Sequence, residues 1–94
     1  MAIFMQVELA GVTSEQYDEL NAKLQSLPGN PFEGCLAHVA VATGSGLQVF
    51  DLWESEEALR RFNDVVMPVA SEVGMPQGGE PTTSQVHNYW VPGA

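Results

Sequence analysis

Residues Leu47 to Phe62 read LQVFDLWESEEALRRF, and a change of period inside this stretch decides the fold. Leu47 to Trp53 is a short, mostly apolar run of strand length. Ser55 then offers a side-chain oxygen to the free backbone N–H groups of a helix, and Glu54, Glu56 and Glu57 stand where the positive end of the helix dipole favours acids. Leu59, Phe62, Val66 and Val69 recur every three or four residues, the spacing of a buried helical stripe. Pro68 lacks an N–H and is expected to kink or end this helix near Met67, with a continuation through Val73 left open. The reading is strand, cap, helix, with one anomaly: Asp51 lies inside the strand, between Phe50 and Leu52, and a buried carboxylate needs a partner.

Upstream, Gly44-Ser45-Gly46 forms a tight hairpin turn. The strand before it, CLAHVAVAT from Cys35 to Thr43, is apolar on both faces. With Ala42 opposite Leu47, His38 falls opposite Asp51. Further back, Pro28, Gly29, Asn30 and Pro31 mark a turn. Before them Thr13 and Gln16 make a capping box for a helix to about Leu27, with Tyr17, Leu20, Leu24 and Leu27 as its core stripe. The first strand covers Ala2 to Leu9, where Ile3, Met5, Val7 and Leu9 alternate with Phe4, Gln6 and Glu8. Downstream, GMPQGGEPTT (residues 74–83) is expected to be a loop and SQVHNYWV (residues 84–91) a fourth strand.

The order βαββαβ in 94 residues predicts a single α+β domain over residues 1–94. It is a ferredoxin-like, four-stranded antiparallel sheet in spatial order 4-1-3-2 with both helices on one face. Alternation gives the helix side Ile3, Met5, Val7, Ala37, Val39, Val41, Phe50, Leu52 and Val86. The open side receives Phe4, Gln6, Glu8, Leu36, His38, Ala40, Val49, Asp51, Trp53, Gln85, His87 and Tyr89. That face is too apolar to stay in water, so a homodimer packed sheet to sheet is expected, enclosing a cavity for a small hydrophobic or aromatic molecule.

The βαββαβ order, the junction VFDLWESEEALRRF and the chain length resemble the dimeric α/β-barrel superfamily, in particular its antibiotic-biosynthesis-monooxygenase-like branch. The likeness spans nearly the whole chain. It implies a dimeric barrel and, in the monooxygenase members, oxygenation of aromatic polyketides without a cofactor. The haem-degrading branch of the superfamily carries a first-strand Asn, a Trp and a second-helix His. This chain has no Asn in that strand, Phe62 at the Trp position and Glu72 at the His position, so it departs from that pattern.

Imidazole changes charge near neutral pH, so His38 is the candidate base, with Asp51 orienting its ring and stabilising its charged form. Such a pair suits removal of a proton from a phenol or an acidic carbon, after which, as the resemblance implies, the carbanion reacts directly with oxygen. The competing reading of the pair is a structural hydrogen bond. Trp53 is a candidate wall for an aromatic substrate or a packing residue. His87 and Tyr89 are candidate substrate contacts or dimer-edge residues, and Phe4, Gln6 and Leu36 complete the expected cavity lining. His38, His87 and Asp51 have the composition of an iron site, but strands two and four lie about 14 Å apart, which argues against a shared ion within one chain. No nucleotide-binding motif is present, and no cofactor is expected. Cys35 is expected to pack on the helix side, three residues from His38 and so facing away from it.

Twelve acidic and three basic side chains give a formal charge of −9, which repels phosphate backbones and anionic lipid and speaks against nucleic acid or a membrane surface as a partner. A single cysteine excludes an internal disulfide. No apolar run approaches the roughly 20 residues of a membrane span, and the amino-terminal stretch carries no basic lead-in, so a cytoplasmic protein is expected. The alternative to an enzyme is a noncatalytic dimer that binds a hydrophobic ligand or serves as an accessory protein.

Overall fold

The computed structural model describes residues 1–75 and 79–93. Six elements follow in order: β1 (Ile3–Ala10), α1 (Ser14–Ser26), β2 (Cys35–Thr43), β3 (Gly46–Trp53), α2 (Glu56–Glu72) and β4 (Thr82–Gln85). The strands form one antiparallel sheet in the order β2-β3-β1-β4, which is the expected 4-1-3-2 arrangement and the ferredoxin-like α+β fold.

Local chemistry sets the element ends. Thr13 Oγ1 accepts from the Gln16 backbone at 3.1 Å while the Gln16 side chain accepts from the Thr13 backbone at 3.0 Å, so the capping box satisfies two otherwise free donors. Ser55 Oγ accepts from Ala58 N at 3.1 Å and starts α2. Pro68 does not end that helix, which runs on to Glu72. Pro68 is exposed, so the carbonyl left without a backbone partner four residues earlier can face water. Lys23 Nζ bridges α1 to α2 by reaching Glu72 at 3.1 Å, an exposed ion pair of modest value.

Two glycines are required by close approach. A Cβ on Gly46 would lie 2.3 Å from the Leu9 carbonyl oxygen, where β1 and β3 come together. One on Gly34, at φ +89°, would lie 2.7 Å from Ala58 Cβ, where the chain enters β2 beneath the start of α2.

The core lies between the helices and one sheet face, with Ile3, Met5, Leu20, Leu24, Trp53, Leu59 and Phe62 at its centre. Register corrects the expected distribution of residues between faces. The β2–β3 pairing is the expected one, His38 opposite Asp51 and Ala42 opposite Leu47. However, β1 pairs Ile3 with Trp53, Met5 with Asp51 and Val7 with Val49, and directly opposed residues project on the same side. His38, Asp51 and Trp53 therefore face the helices, together with Ile3 and Met5, and not the open side. The open face carries Phe4 and Gln6 together with Phe50, Leu52, Ala37 and Val39, the last four expected on the helix side. Alternation alone placed Asp51 outward; on the helix side its bonded partners make burial of the carboxylate tolerable.

A second correction concerns β2. Cys35 pairs with Trp53 and Ala37 with Leu52, so Leu36 is an extra residue, a β-bulge. The bulge inverts the alternation between Cys35 and His38 and places both on the helix side, with Cys35 packed against the core as expected but not turned away from His38. The third correction is β4, which covers Thr82–Gln85 and not residues 84–91. Gln85 already faces Ile3, the first residue of β1, and one further bond from Val86 N to Ala2 O closes the ladder. Residues from His87 onward have no β1 neighbour. Of the loop expected over residues 74–83, residues 76–78 lie outside the described residues, and Thr82 and Thr83 belong to β4. Among the described residues, no helix is long and apolar enough to cross a membrane.

Candidate active site

A chain of four side chains runs through the helix side of the sheet. Its anchor is Asp51, only 2% exposed. One carboxylate oxygen, Oδ1, bonds His38 Nδ1 across the β2–β3 hairpin. The other, Oδ2, accepts from the indole N–H of Trp53 at 3.3 Å, two residues along the same strand. Trp53 is fully buried, with its ring centroid 5.0 Å from that of Phe62 on α2. Both oxygens thus have donors, and no buried side-chain nitrogen or oxygen among the described residues lacks a partner.

The imidazole carries the chain outward. Its Nδ1 meets the carboxylate, and its Nε2 meets the hydroxyl of Tyr17 in α1. A neutral ring that donates from Nδ1 to Asp51 presents Nε2 as an acceptor, so the Tyr17 O–H donates to it. The two ring planes are nearly parallel, 4° apart, with centroids separated by 5.9 Å. Phe32, in the loop before β2, sets its ring edge-on to His38 at 6.5 Å and also packs on Phe62 at 5.2 Å. The His38 side chain remains 27% exposed, because β2 is an edge strand. The network is buried at its carboxylate end and reachable at its phenol end.

The electrostatics follow from burial and charge. Burial, reinforced by the charges of Asp51 and Asp18, pushes the Tyr17 phenol above its ordinary value and keeps its proton on. The same influences, burial first and then Asp51, push the Cys35 thiol up to about 11. Its Sγ–H donates to the Ala37 carbonyl at 3.4 Å. Cys35 is therefore a protonated packing residue at neutral pH and not a nucleophile.

The structure divides the sequence-predicted residues into two groups. His38, Asp51 and Trp53 come together on the helix side, though Trp53 lies too deep to form an open wall. Phe4, His87 and Tyr89 line a separate hollow of about 530 Å³ on the open face of the sheet, where Phe4 also stacks near Phe50 at 6.1 Å. Gln6 shares the open face with Phe4 through the β1 alternation, while Leu36 sits in the bulge, 40% exposed. Asp51 also borders this hollow, but its carboxylate bonds His38 and Trp53 on the helix side, so the His87 and His38 rings do not converge. Tyr17 and Phe32 were not singled out as site residues. Tyr17 read as part of an apolar helical stripe, and Phe32 followed two prolines in a turn. The available signal for Tyr17 was its hydroxyl, which needs a partner when the ring packs against a sheet.

No protein-family model matches the chain, and no curated protein matches it. Solved structures do. SnoaB from Streptomyces nogalater, a cofactor-independent oxygenase, superposes with a TM-score of 0.63 at 12% identity, covering 94% of each chain. A putative antibiotic biosynthesis monooxygenase from Chloroflexus aurantiacus gives 0.57 at 17% identity, over 96% of this chain and 98% of that one. The monooxygenase ActVA-Orf6 of Streptomyces coelicolor, solved with nanaomycin D, gives 0.55 at 15% identity over 97% and 91%. Structures of this antibiotic-biosynthesis-monooxygenase-like, ferredoxin-fold type thus share the architecture over nearly their full length.

Proposed function

We propose that the protein is a homodimeric oxygenase that uses no cofactor and acts on phenolic aromatic or polyketide-like compounds through His38 and Asp51. The observation that carries this reading is the buried Asp51 carboxylate bonded to His38 Nδ1, which makes Nε2 a proton acceptor, engaged by the Tyr17 hydroxyl, at the solvent-reachable edge of the core. Removal of a phenolic proton gives an electron-rich anion that adds oxygen at carbon. The resulting hydroperoxide loses water to leave a carbonyl: phenol plus O₂ becomes quinone plus water. Asp51 fixes the ring and balances the imidazolium formed on proton uptake. The fold shared with SnoaB and ActVA-Orf6 supports the reaction class.

The dimer rests on the open face. Phe4, Val39 and Val41 are 37%, 52% and 42% exposed there, an apolar surface that a second copy of the same sheet would cover by twofold symmetry. The cytoplasm is the compartment proposed, consistent with a lone unpaired thiol.

A noncatalytic, ligand-binding or accessory dimer is the second reading, favoured by one observation: Trp53 is fully buried and aromatic side chains fill the space around it. In that case a hydrophobic ligand would occupy the open-face hollow beside His87 and Tyr89. Oxygen uptake separates the two. Purified protein with 1-naphthol, and no added flavin or metal, should consume one O₂ per quinone formed, and Asp51→Asn should slow it at least 100-fold. No uptake with phenols that bind assigns the second reading. Uptake unchanged by Asp51→Asn removes the proposed mechanism.

A further inference from the structure

The geometry points to Tyr17, not His38, as the group that meets the substrate: a phenol–imidazole–carboxylate relay in which the Tyr17 hydroxyl is the outer acid and base. This inference rests on the phenol-oxidising reading above and assigns the substrate-facing atom within it. Neither imidazole nitrogen of His38 is free. Nδ1 is held by Asp51 and Nε2 by Tyr17, and Phe32 stands edge-on beside the same ring. A substrate approaching along the β2 edge therefore encounters the tyrosine hydroxyl before it can reach Nε2. The Tyr17 hydroxyl bonds Nε2 directly, with the two ring planes parallel to within 4°, so a proton can pass between them without any intervening group.

The proton movements balance without any further reagent. The substrate O–H bond breaks and its proton goes to Tyr17 Oη, while the proton of Tyr17 moves to His38 Nε2. The substrate is left as a phenolate and the ring as an imidazolium against Asp51. Once oxygen has added to the substrate carbon, the peroxide anion takes a proton from Tyr17, and Nε2–H restores the phenol. The protein ends in its starting state. Because the two transfers occur together, Tyr17 never has to persist as a free phenolate.

Tyr17→Phe keeps the ring and its packing while deleting the hydroxyl, so it separates the relay from direct action by His38. With 1-naphthol as substrate, Tyr17→Phe should lower kcat by about 100-fold or more and change KM less than threefold. Equal or faster turnover, expected if an uncovered Nε2 is the better base, overturns the relay. A second readout needs no turnover and so stays informative if oxygenation itself is absent. 4-Nitrophenol bound to the wild-type protein should ionise, seen by its phenolate absorbance, at a lower pH than when bound with similar affinity to Tyr17→Phe. Ionisation at the same pH in both proteins, or no binding of 4-nitrophenol to either at millimolar concentration, also overturns it.

Discussion

Replacing Asp51 by Asn changes two atoms' worth of chemistry at the one buried charged side chain among the described residues. The carboxylate accepts from two donors, the Trp53 indole at 3.3 Å and His38 Nδ1. Asn has one acceptor and one donor at the same places. An indole can only donate, so the amide oxygen must turn to Trp53 and the amide N–H groups to His38. That arrangement is satisfied if the imidazole changes tautomer: Nδ1 becomes the acceptor, and Nε2–H now donates to the Tyr17 hydroxyl. The fold survives, and the ring loses the acceptor that the proposed chemistry uses.

The cost is the loss of charge assistance in two hydrogen bonds. Bonds to charged groups contribute about 1.5–3 kcal/mol and neutral ones about 1 kcal/mol, so Asp51→Asn should destabilise the protein by about 1–4 kcal/mol. With a urea m value of about 1.5 kcal/mol per M for a small domain, the unfolding midpoint should fall by about 0.7–2.7 M. Trp53 is the natural probe, since it is fully buried whereas Trp90 is 80% exposed. Fluorescence in a Trp90→Phe background, at fixed protein concentration, follows the network itself. Nitrogen chemical shifts of His38 should report the tautomer exchange. A loss below about 0.5 kcal/mol, or an unchanged tautomer, would refute the claim that Asp51 organises both neighbours.

Other outcomes follow from separate features. At pH 8 a thiol held at about 11 should react with an alkylating reagent about 100-fold more slowly than one at its ordinary value near 9, because so little thiolate is present. An acid whose folded value is raised favours the folded state while protonated. Cys35 should therefore add stability that is present below about pH 9 and lost as pH rises toward 11, a decline that Cys35→Ala should flatten in pH-dependent urea titrations. Gly46→Ala brings a methyl against the Leu9 carbonyl and should cost about 2 kcal/mol or more, read as a lowered urea midpoint. Val39→Asp places a charge on the β2 side of the open face, where Val39 is 52% exposed, and should convert a dimer to a monomer in sedimentation; a wild-type monomer would remove the proposed assembly.

The fold was legible because its signals are local. Thr13-x-x-Gln16 and Ser55 announce helix starts, and the Gly44–Gly46 turn sets the β2–β3 register that puts His38 opposite Asp51. The facing of that pair was not legible. Both rows of β2 are apolar, and the phase between β3 and β1, strands far apart in sequence, is chosen by the packing of Ile3, Met5 and Trp53 under the helices. Nothing in CLAHVAVAT marks the bulge at Leu36, since no glycine or proline flags it. QVHNYWV has strand-like alternation but outruns β1, its hydrogen-bonding neighbour. Tyr17 hid among leucines, because a helical stripe does not distinguish a ring that packs from one that also bonds.

The bulge at Leu36 works as an index mark. Residues from Ala37 onward are counted from the hairpin, while Cys35 and Gly34 are counted from α2, where Gly34 fits against Ala58 and its carbonyl accepts from Glu54 N at 2.8 Å. One surplus residue lets both counts be satisfied on a single strand. Deleting Leu36 would force a choice between them: either His38 stays in step with Asp51 and the Gly34 junction lifts from α2, or the junction holds and the histidine rotates out of its network. The spacing between the helix layer and the imidazole is thus written as a residue count, and a change of length there is more disruptive than a change of side chain.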